Sequence, residues 1–231
     1  MRIVDVNALL PGPGGGPAAD EKWAIQARER LLAPADDEPG AWPSTVGLRR
    51  QLVVLPGDLD RLQRRLDRYR DDGAPAVVRI CPGRARHRYP LVAWALGAIP
   101  ELLEREGWAL ALDMVADGAY PWVDVVSFAQ QHSSLPCVVL GAPLDDRTAG
   151  AALDATANLI LETSAVRDAP TLETLAALVR SRGAHRFVHG SGERPPGAPA
   201  AWGQLAADEA LMLASGTADL LDAGAWASTY L

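Results

Sequence analysis

Short runs of β-branched and other apolar residues alternate along this chain with longer stretches whose apolar positions recur every three to four residues. The short runs predict strands at Ile3–Leu9, Gln51–Leu55, Ala76–Cys81, Ala109–Val115, 136–140, Asn158–Glu162 and Arg186–His189. The longer stretches predict helices over 20–32, from Asp58 through Tyr69, over Leu91–Glu106, 120–133, 144–156, Thr171–Arg182 and 205–222. The helix begun at Asp58 shows the pattern most clearly, with Leu59, Leu62, Leu66 and Tyr69 on one stripe and charge on the rest. Gly107 and Gly183 follow two of these helices, where a C-cap glycine belongs. Pro11-Gly-Pro-Gly-Gly-Gly-Pro17 and residues 33–46 read as loops.

Nearly continuous apolar strands between amphipathic helices imply a parallel sheet covered on both faces. About seven such units point to an α/β fold of the (β/α) TIM-barrel type, with one strand missed or degenerate, and to one domain over residues 1–231. An open doubly wound sheet is the competing architecture. Its dinucleotide fingerprint should follow the first strand, but the glycine run there does not launch a helix. The same run lacks the Lys and Ser/Thr of a phosphate-binding P-loop.

Charge narrows the partners. With 22 basic and 29 acidic residues, the net charge of −7 disfavours nucleic acid and anionic membrane surfaces. The one basic cluster, Arg61, Arg64, Arg65, Arg68 and Arg70, is interleaved with Asp58, Asp60, Asp67, Asp71 and Asp72 and reads as a solvated helix face. Cys81 and Cys137 sit in apolar runs with neither zinc-finger nor redox spacing, as buried free thiols do in a reducing compartment. No apolar run approaches membrane-spanning length and no leader is recognisable, so the expected location is cytoplasmic. A small-molecule ligand and self-association into a homo-oligomer both stay open.

Four segments carry a family resemblance. The opening strand Ile3-Val-Asp-Val-Asn-Ala-Leu9, the run Asn158-Leu-Ile-Leu-Glu-Thr-Ser164, the run His185-Arg-Phe-Val-His-Gly-Ser-Gly-Glu-Arg-Pro195 and the tail Leu213-Ala-Ser-Gly-Thr-Ala-Asp-Leu-Leu221 follow one another in the order of the amidohydrolase-related barrels. The chain resembles in particular their branch of aminocarboxymuconate-semialdehyde decarboxylase-like proteins. A subgroup with the same Asn-x-Leu and Gly-Ser-Gly pattern has a middle segment similar to Val78–Pro90. The resemblance implies a hydrolase-like barrel. In the family, Asp-x-His-x-His on the first strand supplies two metal ligands; this chain has Asn7 and Leu9 there. The strand that should carry a further His offers Asp113, the His-x-Gly strand ends in Leu140-Gly141 without a His, and Gly192 replaces the last-strand Asp. A catalytic zinc needs about three converging protein ligands, so neither a metal nor any other cofactor is expected.

In such a barrel, chemistry gathers at the C-terminal strand ends and the loops after them. Asp113, Glu162 and His189 are the candidates for acid–base work, and Asn7, Arg79, His87, Ser191 and Glu193 the candidates for holding a substrate. Each has a bland reading beside it: Arg79 pairs with a carboxylate inside the barrel, Asn7 caps a strand end, His87 belongs to an arginine-rich surface loop, and His189 packs between strand and helix. His132 and His185, near helix ends, read as structural surface residues. Trp94, Trp108 and Trp122 are expected to fill the barrel–helix interface, and Trp23 and Trp42 to cover a pocket. Serine-hydrolase chemistry at His189-Gly-Ser-Gly192 lacks a nucleophile elbow. Two functions lead: a metal-independent hydrolase or lyase acting on a small carboxylate or amide, and a non-catalytic small-molecule-binding or structural descendant of a metal-dependent hydrolase. A third reading has metal held by a rearranged set such as Asp113, Glu162 and His189.

Overall fold

The computed structural model describes residues 3–9, 28–33, 48–71, 77–82, 89–113, 122–145, 147–166, 169–188 and 190. They form an eight-stranded parallel sheet in sequential order: β1 (Ile3–Leu9), β2 (Arg28–Ala33), β3 (Leu48–Val53), β4 (Val77–Ile80), β5 (Ala109–Asp113), β6 (Cys137–Leu140), β7 (Leu159–Glu162) and β8 (Phe187–Val188). β1 also lies against β8, so the sheet closes on itself as a TIM-type barrel. From β3 onward helices separate the strands: α1 (Leu59–Asp71), α2 (Ala93–Leu96), α3 (Ile99–Glu106), α4 (Trp122–Gln131), α5 (Thr148–Ala155) and α6 (Ala169–Arg182).

The strand that the periodicity conceals is β2. The apolar spacing predicts a helix over 20–32, yet Arg28–Ala33 is extended and pairs with both β1 and β3. Its charged half, Arg28-Glu-Arg30, gives no apolar alternation to read, and the two flanking strands override local preference. The expected single helix over Leu91–Glu106 is two, α2 and α3. Gly97 turns to positive φ (59°) between them, and Pro100, at the start of α3, has no N–H to continue a helix from α2. Gly107 (φ 70°) caps α3 as expected, in the left-handed region where a side chain would strain. The expected terminal helix over 205–222 lies outside the described residues.

Strand parity sorts the core into two layers. Val78, Ile80, Leu110, Leu112, Cys137, Val139, Leu159, Leu161 and Phe187 join one apolar cluster with the helix residues Leu62, Leu66, Leu102, Leu103, Val125, Phe128, Leu153, Leu175 and Leu178. Burying a leucine in this layer contributes about 2 kcal/mol before entropy is counted. The alternate residues Arg79, Ala109, Ala111, Asp113, Val138, Leu140, Ile160, Glu162 and Val188 are equally buried and face the barrel interior. Three of these interior residues, Arg79, Asp113 and Glu162, are charged types.

The aromatic expectations divide. Trp108 and Trp122 pack against the core, but Trp94 on α2 is 81% exposed and fills no interface. His132, expected on the surface, is instead buried, its ring 4.8 Å from that of Phe128 and its Nδ1 3.8 Å from Glu104 Oε1 on α3. Trp23 and Trp42 lie outside the described residues.

Candidate functional site

The β4 sequence Val77-Val-Arg-Ile80 places one guanidinium in an otherwise apolar strand. Arg79 is 1% exposed and pairs in register with Ala111 on β5, whose lack of bulk leaves room for a long side chain across the interior. Two positions on, Asp113 closes β5 on the same face. Both Arg79 Nη2 (2.6 Å) and Arg79 Nε (3.1 Å) donate to Asp113 Oδ2, and Cys81 Sγ lies 3.5 Å from that oxygen. Asp113 has no exposed surface, so this is a fully desolvated ion pair. Of the two readings of Arg79, pairing with a carboxylate inside the barrel is the geometry observed. Cys81, at the C-terminal end of β4, joins this cluster although its apolar run marks it only as a buried thiol; the signal for it is the parity it shares with Arg79.

Glu162 ends β7, again with no exposed surface. The chain then turns through Thr163–Ala165 in a single 3-10 turn, which folds Ser164 back over the carboxylate. Ser164 donates its backbone N–H to Oε1 (2.6 Å) and its hydroxyl to Oε2 (2.6 Å). Gly141, just past β6 at φ 60°, donates its N–H to Oε2 at 2.8 Å. Past β8, Gly190 comes close to the same group: a Cβ there would fall on the Glu162 carboxyl. One carboxylate thus ties the C-terminal ends of β6 and β7 together, with Gly190 past β8 close against it.

Arg79, Asp113 and Glu162 therefore stand on the strands of the barrel wall at its C-terminal end, where the candidates were expected. Asn7 lies on β1, within the stretch from Asp5 to Ala8 where the register to β2 shifts, an irregularity common beside barrel rims. His87, His189, Ser191 and Glu193 lie outside the described residues.

The metal that the family resemblance implies does not fit what is described. Among the described residues no three His, Cys, Asp or Glu side chains gather to hold an ion. Asp113 offers its Oδ2 to a guanidinium 2.6 Å away, which would repel a second cation. Glu162 directs both oxygens at N–H and O–H donors.

The opposite end of the barrel is built differently. Asn158, one residue before β7, donates its side-chain amide to the carbonyls of Ala129 (3.0 Å), His132 (2.8 Å) and Leu135 (2.7 Å). Arg186, one residue before β8, donates to the carbonyls of Leu159 (2.9 Å), Leu153 (3.2 Å) and Thr156 (2.8 Å). Ala129, Leu153 and Thr156 are carbonyls at helix C-termini, which the helix itself leaves without partners, whereas His132 O also accepts the Leu135 N–H. Half-burial pulls the Arg186 pKa down, with the Asp154 charge opposing. The Cys137 thiol, in the outer core layer, is pushed far up by burial and secondarily by Glu104, which keeps it protonated and unreactive. No helix among the described residues is long and apolar enough to cross a membrane.

The sequence matches no family model and no curated protein. Solved structures resemble it in fold. An uncharacterized TIM-barrel protein from Bordetella bronchiseptica aligns over 94% of this chain and 100% of its own, with TM-score 0.60 and 13% identity. Amidohydrolase 2 from Bifidobacterium longum subsp. infantis aligns over 99% and 98%, with TM-score 0.54 and 12% identity. A dihydroorotase from Campylobacter jejuni aligns over 75% of this chain and 62% of its own, with TM-score 0.50 and 14% identity. At such identities the likeness carries the barrel fold and no particular activity.

Proposed function

We propose that this chain is a metal-independent barrel of the hydrolase type that binds a small molecule at its C-terminal rim, with Asp113 and Glu162 holding the rim in place. The observation that carries this reading is the state of the two carboxylates. Both are wholly buried, and both have oxygens engaged by donors of the chain itself. A general base must present an oxygen to the proton it removes, within hydrogen-bond reach of a bound substrate. Carboxylates held this way favour a non-catalytic small-molecule-binding descendant of a hydrolase barrel. The ligand would be met by the loops beyond the strand ends, where His87, His189, Ser191 and Glu193 stand in the sequence.

One observation favours the other reading, a metal-independent hydrolase or lyase acting on a small carboxylate or amide. Arg79, Cys81, Asp113 and Glu162 all lie at the strand ends where barrel enzymes carry their chemistry. Calorimetric titration with a panel of small carboxylates and amides, followed by mass analysis of each compound, separates the two. Saturable binding of a compound recovered unchanged is the expected result. Turnover by metal-free protein, abolished in a folded Asp113→Asn or Glu162→Gln variant, would establish the enzyme; an absence of binding across the panel would end the ligand reading as well.

A further inference from the structure

We infer that the Arg79 guanidinium is the resident cation of the barrel mouth, and that its pairing with Asp113 makes the site refractory to divalent metals. The inference rests on the metal-independent part of the proposed function but not on any ligand being bound. A charged side chain buried on an apolar parallel strand is tolerated only if an opposite charge is held against it. Here the two chain positions that meet lie on adjacent strands and share a face. Arg79 stands beside Ala111, and Asp113 lies two residues further on the same face, so the backbone itself brings the pair together. The guanidinium donates two N–H groups to a single oxygen, Asp113 Oδ2, and the Cys81 sulfur sits 3.5 Å from that same oxygen.

Cys81 and Asp113 are residue types that a zinc ion accepts as ligands. An ion approaching them would enter the field of a guanidinium that, at 1% exposure, has no solvent to screen it. The ion would also have to displace that guanidinium from Asp113 and leave it buried without this counter-charge. Further round the barrel, the Glu162 carboxylate already accepts from Ser164 and Gly141 and has Gly190 close against it. The positive charge at this site is thus encoded in the chain.

Two measurements on the full chain test this. Wild-type protein purified without chelator is analysed for metal, melted with and without EDTA, and titrated with cobalt(II) while thiolate-to-cobalt absorption is followed. Substoichiometric metal, an unchanged melting midpoint and no such absorption are expected. Stoichiometric metal whose removal lowers the midpoint, or a cobalt–thiolate band in the wild type, overturns the inference. The second measurement is a cycle of Arg79→Met, Asp113→Asn and the double variant. Each single change should lower the midpoint by about 10 °C, and the double should recover most of that loss. Should the single variants fail to fold, a folded double variant supports the inference equally. An Arg79→Met protein as stable as wild type, or a double variant no better than the singles, overturns it.

Discussion

The two ends of this barrel solve the same problem with opposite chemistry. At the N-terminal end, Asn158 and Arg186 reach backwards from the residues before β7 and β8 to carbonyls at the ends of α4 and α5. At the C-terminal end, acceptors are the buried groups: the Asp113 carboxylate collects donors from β4, and that of Glu162 from the residue past β6 and from its own following turn. The first arrangement joins helices to strands and is partly solvated. The second joins strand to strand in the dry interior, where a lost partner leaves a buried charge. Damage at the two ends should therefore differ in size.

The largest effect is expected at Gly190. Gly190→Ala forces a methyl group onto the Glu162 carboxyl, and the unfolding free energy should fall by about 3 kcal/mol or more. Pairing it with Glu162→Ala should restore part of the loss by making room; chemical denaturation of the three variants would show it. If Gly190→Ala is as stable as wild type, the close packing of Gly190 on the Glu162 carboxyl does not exist.

A smaller loss is expected at the other end. Asn158→Ala removes a donor shared by three carbonyls, of which Ala129 and His132 belong to the end of α4, and should cost about 1–2 kcal/mol. Hydrogen exchange should localise the damage to the end of α4. A loss as large as that of Gly190→Ala would erase the contrast between the two ends.

The smallest effect concerns pH. The hydrogen bond from Arg182, reinforced by its charge, holds the exposed Asp154 carboxyl below its ordinary value. A depressed folded-state pKa stabilises above the ordinary carboxylate range and ceases to do so as pH falls through the folded value. Asp154→Asn should therefore narrow the stability difference between neutral and acidic solution slightly, most visibly at low salt, since exposed pairs are screened. An effect that persists in high salt would mean that the pair is less exposed than its geometry indicates.

Legibility in the sequence follows burial. Strands β4 to β7 run through the buried core, so their apolar runs, broken only by Arg79 and by the Asp113 and Glu162 that close β5 and β7, place each strand to within a few residues. β2 escapes because its first half is Arg28-Glu-Arg30, and its strand state depends on neighbours distant in sequence. Asp113, Glu162 and Arg79 are legible as rim residues because strand ends can be counted along the chain. That Arg79 meets Asp113, and that Ser164 folds back on Glu162, depends on register and a 3-10 turn, which periodicity does not encode. Asn158 carries no signal beyond its place before a strand, since its partners lie more than twenty residues away.

The most direct test of the central claim is the stability of Glu162→Gln set beside its ligand binding and turnover. An amide keeps the shape of the side chain but weakens the hydrogen bonds from Ser164 and Gly141 by removing the charge they meet. If Glu162 holds the rim, the variant should lose about 2 kcal/mol, and turnover should be absent from wild type and variant alike. Groups kept for chemistry commonly cost the fold stability, so their removal can increase it. A Glu162→Gln protein that is more stable than wild type and has lost a turnover that wild type shows would contradict the account.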